Sequence, residues 1–239
     1  APGLDALIER RMAMLTDYQD AAYAERYRRL VERVREAEAR CIGAGSGLAE
    51  AVARSYARLL AYKDEYEVAR LHTAAAFRRQ LDETFEGDYG LRFHLAVPLL
   101  ARPDPHTGRI AKRSFGPWVL RLFRLLAGFK RLRGTRLDIF GHTAERRAER
   151  ALITEFETDI EELLGNLSPD RLPLAIQIAE LPERIRGFGH IKTRNMAWAA
   201  QQRRQLLAQW RATPASTAEQ PGSGTEAMAD SRSRTEVTA

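Results

Sequence analysis

The sequence predicts a mainly α-helical domain with a small β-hairpin or extended flap, preceded by a linker helix and followed by a disordered tail. Three observations support this prediction. Long segments carry apolar residues every three or four positions, glycines and prolines separate these segments, and one short segment alternates apolar and polar residues. Of the 239 residues, 44% are hydrophobic and 29% are charged, which is typical of globular domains with a substantial core.

The first forty residues favour one long helix. Thr16 or Asp17 is a suitable N-cap, and the helix is expected to continue to about Arg40. Its apolar positions form one stripe: Tyr23, Tyr27, Leu30, Val31 and Val34. Such a stripe needs a partner surface, so this helix is expected to pack against another part of the protein.

Domain boundaries follow from two changes in composition. A cluster of glycines follows the first predicted helix and marks a boundary near residue 45. Residues 46–211 are assigned to the main domain. Residues 212–239 contain no Leu, Ile or aromatic residue, and they are predicted to form a disordered tail because they cannot bury enough apolar surface.

A second helical region is expected from Leu48 to about Phe85. Within it, Lys63, Glu67 and Arg70 lie at positions i, i+4 and i+7, which predicts a ladder of alternating charge on one helix face. The ladder is either exposed to solvent or partly buried at a contact between domains or subunits. Asp64, Glu65 and Glu67 form either a functional carboxylate cluster or a solvent-exposed acidic face, and the exposed face is the favoured interpretation.

The remaining elements are assigned from turn residues and periodicity. Alternation predicts a strand at Leu91–Val97, and a turn-rich segment leads to a return strand near Ile110–Phe115. Thr143 is the expected N-cap of a helix that ends near Leu164. Two further helices are predicted, and their approximate limits are Leu172 to Glu180 and Ile191 to Trp210.

The helix between Trp118 and Arg133 is basic and amphipathic. Its apolar residues are expected to face the core: Trp118, Leu122, Leu125, Phe129 and Leu132. Its cations are expected to face outward: Arg121, Arg124 and Arg131. Nine Lys or Arg and no acidic residue occur between Arg109 and Arg136, which produces a local positive field. Either the acidic segment Glu155–Glu162 folds against this helix, or an acidic partner binds it.

Few residues of the sequence are candidates for catalysis or for binding a cofactor or metal ion. The single cysteine, Cys41, excludes a disulfide within the chain and an iron–sulfur cluster held by this chain alone. It also makes the cytoplasm the default location. No catalytic, cofactor-binding or metal-binding residue is assigned, and no segment is apolar enough for a membrane span. One candidate anion site lies at a glycine-containing loop before the last helix: Arg184, Arg186, His190 and Lys192. The start of a helix explains this loop almost as well.

Four segments resemble one known family: AYKDEYEVARL (61–71), FEGDYGLRFHLAVPLLAR (85–102), FGPWVLRLFRLLAGFKRLRGTRLDIFGHTAERR (115–147) and LPERIRGFGHIK (181–192). Together with residues 17–38, they resemble the C-terminal domain of unknown function of bacterial single-chain indolepyruvate ferredoxin oxidoreductases. The chain departs from the pattern at Ile139, where a proline is expected, and at Val97-Pro98, where paired prolines are expected.

The resemblance implies an accessory role beside upstream catalytic domains. It also implies that residues 1–45 are a linker helix from an upstream catalytic part. The whole enzyme oxidatively decarboxylates an aryl pyruvate to an acyl-CoA and passes electrons to ferredoxin, with thiamine diphosphate, Mg²⁺ and iron–sulfur clusters in those upstream domains. The chain alone is therefore expected to be inactive and free of cofactors. Ferredoxin and CoA are candidate partners, and the parent enzyme is expected to be a homo-oligomer. The alternative is a free-standing basic helical module that binds an acidic membrane surface or nucleic acid, although no nucleic-acid-binding motif occurs.

Overall fold

Helices account for most of the protein in this computed structural model, which describes residues 3–43, 45–87, 89–95, 113–187 and 190–214. These ranges contain nine α-helices and two strands: α1 Leu4–Tyr18, α2 Ala21–Ile42, α3 Gly47–Leu60, α4 Glu65–Thr73, α5 Ala75–Thr84, β1 Phe93–Leu95, β2 Arg113–Phe115, α6 Val119–Gly128, α7 Ala144–Gly165, α8 Leu172–Glu180 and α9 His190–Ala212. The predicted fold class is confirmed. None of these helices is both long and apolar enough to cross a bilayer.

The helix predicted to end near Arg40 is present as α2, but the predicted cap at Thr16 or Asp17 is wrong, and α1 precedes it as a helix that the sequence did not reveal. Both residues lie inside α1. The cap of α2 is Asp20, whose side chain accepts a hydrogen bond from the backbone N–H of Tyr23 at 2.8 Å. An Asp in this extended conformation accepts a hydrogen bond from one of the free N–H groups at the helix start. This cap explains why a new helix begins at Ala21, three residues after the end of α1.

One main core joins helices from both ends of the chain. The apolar stripe of α2 is buried as expected, and it packs with side chains of α1, α3, α7, α8 and α9. α1 contributes Leu4, Ile8 and Leu15 to the same core. Residues 4–42 thus pack with the main domain, and the core continues across the boundary predicted at residue 45. Their connection to an upstream catalytic part stays a prediction.

The region from Leu48 to Phe85 is divided into three helices rather than one. α3 ends at Leu60, and α4 begins after Asp64, whose side chain accepts a hydrogen bond from the N–H of Glu67 at 2.8 Å. The backbone of Ala74 is extended, and this separates α4 from α5. Periodicity alone does not reveal these breaks because the connections contain no glycine or proline.

The predicted hairpin is present, and it builds a second, smaller core. β1 and β2 are antiparallel, with Phe93 opposite Phe115. Phe93 packs with Ala69 of α4 and with Val119 and Phe123 of α6. The predicted turn and the inner ends of both predicted strands fall in residues 96–112, outside the described residues.

The last three helices agree closely with the sequence prediction. The Thr143 side chain caps α7 by accepting a hydrogen bond from the N–H of Arg146 at 3.3 Å. α8 has the predicted limits, and α9 begins one residue earlier and ends two residues later than expected. Most of the predicted tail, residues 215–239, lies outside the described residues.

Candidate functional site

Helix α6 packs against the second core with a different face from the one that the sequence predicted. Val119 and Phe123 are buried, whereas four residues of the predicted core stripe are exposed: Trp118 59%, Leu122 51%, Leu125 60% and Phe129 47%. Leu132 is half-buried. The reason is the small size of the second core, which has room for the two side chains that point at α4 and β1. The longer stripe, which includes Trp118 and Phe129 at the two ends of α6, is left in solvent, where four neighbouring large apolar side chains are unusual.

The cations of this helix behave as expected. Arg121, Arg124 and Arg131 are exposed, and none of them forms an ion pair with another described residue. Helical spacing places Arg121 and Arg124 along one edge of the apolar stripe. We call this combination the α6 face, and it comprises Trp118, Leu122, Leu125 and Phe129 with Arg121, Arg124 and Arg131.

The acidic segment of α7 pairs with other helices, so it does not neutralise the α6 face. Its carboxylates contact arginines of α2 and α9: Glu157 with Arg26, Glu161 with Arg33, Asp159 with Arg203 and Glu162 with Arg211. Burial by itself raises the pKa of Glu157, yet hydrogen bonds from Arg26 and Tyr56 hold it below its ordinary value. The hypothesis of compensation within the chain is therefore wrong for the described residues.

The predicted charge ladder is present only in part. Arg70 donates two hydrogen bonds to Glu67, each of 2.8 Å, and both side chains are partly buried. Lys63 lies in the connection before the cap of α4, so the prediction that all three residues share one helix is wrong. The structure thus retains a single ion pair within α4.

Replacing Glu67 with alanine is expected to lower the free energy of unfolding by about 1 kcal/mol. The pair is more buried than a surface ion pair, but Arg70 keeps access to solvent when its partner is removed. Urea denaturation would measure the change. A loss above about 3 kcal/mol would instead indicate an arginine left buried without its partner, as in a fully buried ion pair.

A cavity of about 660 Å³ lies between α1, α3 and the segment that joins α8 to α9. Six basic residues line it: Arg11, Arg54, Arg58, Lys63, Arg186 and Lys192. Two of the four residues of the predicted anion site, Arg186 and Lys192, line this cavity. Arg184 is not part of the lining, and the side chain of His190 lies outside the described part of the chain.

Two carboxylates also line this cavity, and both have partners. Glu149 forms ion pairs with Lys192 and Arg146, and Glu183 accepts a hydrogen bond from Arg54 Nε at 2.8 Å. Among the described residues, no ion pair engages Arg11 or Arg58. The Nε atom of Arg11 is also buried without a hydrogen-bond partner. The cavity thus combines neutralised cations with cations that lack a counterion.

Comparison with known proteins gives one result. The model of a family of unknown function, DUF6537, matches residues 4–205. The chain belongs to this family. The match includes α1 and α2, which agrees with their place in the main core. No curated protein and no solved structure matches the chain.

Two segments of this DUF6537 chain are joined by a buried ion pair that the sequence did not reveal. Arg133 donates to Asp64 and, at 2.8 Å, to the backbone carbonyl of Tyr18, and its guanidinium lies 3.6 Å from the centre of the Tyr18 ring. Burial disfavours the charged guanidinium, but the hydrogen bonds with Asp64 and the electrostatic attraction of Asp64 and the neighbouring tyrosines together raise the pKa of Arg133. The interpretation of Asp64 as part of a solvent-exposed face is therefore wrong.

A second buried carboxylate holds the loop between α6 and α7. Asp138 accepts hydrogen bonds from the N–H groups of Gly134 at 2.8 Å and Gly141 at 2.9 Å, and from the Tyr66 hydroxyl at 3.3 Å. Burial, together with Asp138, raises the pKa of Tyr66 to about 12. A Cβ atom on Gly141 would lie 2.3 Å from Asp138 Oδ2. Ile139, where the resemblance had suggested a proline, is exposed.

The described residues contain no group of three or more His, Cys, Asp or Glu side chains that could hold a metal ion. Cys41 is a free thiol, and burial raises its pKa. A raised pKa lowers the fraction of reactive thiolate at neutral pH. The α6 face and the cationic cavity are therefore the two candidate functional features of this part of the DUF6537 chain.

Proposed function

We propose that this DUF6537 chain is the accessory C-terminal domain of a bacterial single-chain indolepyruvate ferredoxin oxidoreductase. The parent enzyme oxidatively decarboxylates an aryl pyruvate to an acyl-CoA and transfers the electrons to ferredoxin. Thiamine diphosphate, Mg²⁺ and the iron–sulfur clusters belong to its upstream domains, and the residues of this chain do not take part in catalysis. The observation that carries the proposal is the occurrence of four family-like segments in order between residues 61 and 192.

Deletion of this domain from the full enzyme tests the proposal. The truncated enzyme is expected to retain its thiamine diphosphate and iron–sulfur content, while the rate of ferredoxin reduction falls. Cofactor content is measured by absorbance and by metal analysis. A parent reading frame without thiamine-binding and ferredoxin-type sequences upstream of this chain would exclude the proposal before any enzyme assay.

The α6 face provides the contact with an acidic partner in this proposal. It presents exposed cations beside exposed apolar side chains, the combination that occurs at protein interfaces. Ferredoxin is the favoured partner because its acidic surface complements the arginines, and CoA, which carries phosphates, is the second candidate. Charges at the edge of an interface mainly accelerate association, so their effect depends on salt.

Replacing Arg121, Arg124 and Arg131 with glutamine in the full enzyme is expected to raise the KM for ferredoxin by about tenfold at low salt. The increase should become smaller as the salt concentration rises, because ions screen exposed charges. The matched control replaces three other exposed arginines, Arg29, Arg40 and Arg147, which removes the same charge elsewhere. A change in the KM for CoA alone would assign the face to CoA, and no change in either KM would show that the face binds neither partner.

The exposure of the apolar stripe also supports a second candidate function, binding to an acidic membrane surface. A basic helix with exposed Trp118 and Leu122 has the composition of helices that lie in the headgroup region. Co-sedimentation with vesicles that contain phosphatidylserine distinguishes the two functions. If the protein binds these vesicles and loses this binding when Leu122 and Leu125 are replaced by serine, the membrane function is favoured. If the protein does not bind the vesicles, the function of the α6 face in binding a protein partner is favoured.

A further inference from the structure

We propose that the cationic cavity is a binding site for a phosphorylated small molecule. The cavity lies between α1, α3 and the connection to α9, and it is separate from the residues that form the α6 face. The proposal concerns the cavity alone, so it does not depend on the function proposed above. It rests on the charge balance of the lining, on arginines of the lining that have no carboxylate partner among the described residues, and on the apolar side chains of the walls.

The charge balance favours an anion. Six cations and two carboxylates line the cavity. Glu149 and Glu183 are already engaged by Lys192, Arg146 and Arg54, so neither is available to the remaining arginines. An anionic ligand would enter a region of positive potential without displacing an existing ion pair.

Arg11 provides the most specific observation. Its Nε atom is buried and has no hydrogen-bond partner, and the described contact of its Nη1 atom is with the sulfur of Met14 at 3.9 Å. The guanidinium has no carboxylate partner among the described residues, so its positive charge is available to an anion in the cavity that Arg11 lines. Guanidinium groups bind phosphate oxygens through paired hydrogen bonds, which suits an arginine at the wall of a cavity.

Two further arginines strengthen the case for a phosphate over a carboxylate. Arg58 is exposed and has no ion pair among the described residues, and Arg186 donates from Nε to the backbone carbonyl of Glu183 at 3.0 Å. Both keep their charge free for a ligand. A phosphate group carries up to two negative charges and several acceptor oxygens, so it matches three arginines better than a single carboxylate does.

The walls indicate that the ligand also has an organic part. Leu59, Leu152 and Ile185 line the cavity beside the cations, and the ring of Tyr62 contributes a flat surface. The volume of about 660 Å³ lies within the range of sites that bind small organic molecules. The ligand class is therefore an organic phosphate or diphosphate whose apolar or planar portion contacts these side chains.

Isothermal titration calorimetry with the full 239-residue chain tests the proposal with inorganic pyrophosphate, ADP and adenosine as probes. Pyrophosphate or ADP is expected to bind with a Kd below about 1 mM, and adenosine at least tenfold more weakly. Arg58→Gln is expected to weaken binding by about tenfold, because one charge-assisted contact is lost. Arg58 is exposed, so this variant should fold normally, and Arg11→Gln provides a second variant with a buried change.

Arg147→Gln is the matched control because it removes the same charge from an exposed position outside the cavity. It is expected to change the Kd by less than about twofold. The proposal is overturned if neither pyrophosphate nor ADP binds below about 10 mM. It is equally overturned if Arg147→Gln weakens binding as much as Arg58→Gln does, because binding would then depend only on the net charge of the chain.

Discussion

Replacement of Asp64 with asparagine is expected to lower the free energy of unfolding by about 3 to 5 kcal/mol, the largest effect of any single substitution considered for this protein. Asparagine has almost the same shape as aspartate and also caps helices well, so α4 should keep its N-terminal hydrogen bond. The substitution therefore removes the negative charge and leaves the cap in place.

The size of this effect follows from the surroundings of Arg133. The side chains of Arg133 and Asp64 are 2% and 3% exposed, so water cannot replace the lost carboxylate. The guanidinium also lies against the Tyr18 ring and donates to the Tyr18 carbonyl, which holds it in the interior. A buried cation without its counterion is strongly destabilising, whereas an exposed one is not.

Urea denaturation followed by circular dichroism measures the loss. Asp170→Asn is the matched control because Asp170 is exposed, and its substitution should change the free energy of unfolding by less than about 0.5 kcal/mol. The double variant Asp64→Leu with Arg133→Met should lose less than the sum of the two single variants, because no unpaired charge remains. Equal losses for Asp64→Asn and Asp170→Asn would contradict a buried ion pair at this position.

The second large effect is expected for Glu38→Gln, with a loss of about 3 kcal/mol. Glu38 of α2 is fully buried, and its two carboxylate oxygens accept hydrogen bonds from the N–H groups of Leu48 and Ala49, each at 2.9 Å. These N–H groups belong to the first turn of α3, where the helix dipole also favours a negative charge. Glutamine supplies only one acceptor oxygen and places an NH₂ group against the second N–H.

Thermal and urea denaturation of Glu38→Gln would be compared with Glu36→Gln, which removes a charge from an exposed position on the same helix. The control is expected to lose less than about 0.5 kcal/mol. A similar small loss for Glu38→Gln would mean that the start of α3 finds other hydrogen-bond partners. The comparison also tests whether α2 holds α3 in place, because the Glu38 contacts link these two helices.

Local signals predicted much of the C-terminal half. Thr143 identified the start of α7, and the limits of α8 and α9 agreed closely with the prediction. The hairpin, nearer the middle of the chain, followed from alternation and turn residues. In the first half, by contrast, Asp20 and Asp64 were missed as caps. Each caps its helix because the backbone is extended at that residue, and the sequence alone does not specify this conformation.

The candidate sites were harder to predict because they depend on which surfaces meet. Periodicity identified an apolar stripe on α6. The residues that are buried in the small second core are Val119 and Phe123, which lie on another side of the helix. The cavity brings Arg11 and Arg58 to the same place as Arg186, which is more than one hundred positions away along the chain. No local pattern connects such residues.

Helix α7 forms ion pairs with both α2 and α9, and this arrangement affects how the chain folds during synthesis. Arg26 and Glu157 are 131 positions apart, and Arg211 and Glu162 are 49 positions apart. At typical rates of translation, roughly ten to twenty seconds pass between the synthesis of α2 and that of its carboxylate partners on α7. During this interval the first three helices can form local contacts only. The core becomes complete after α9 leaves the ribosome, so the newly made N-terminal half depends on the last part of the chain for its final packing.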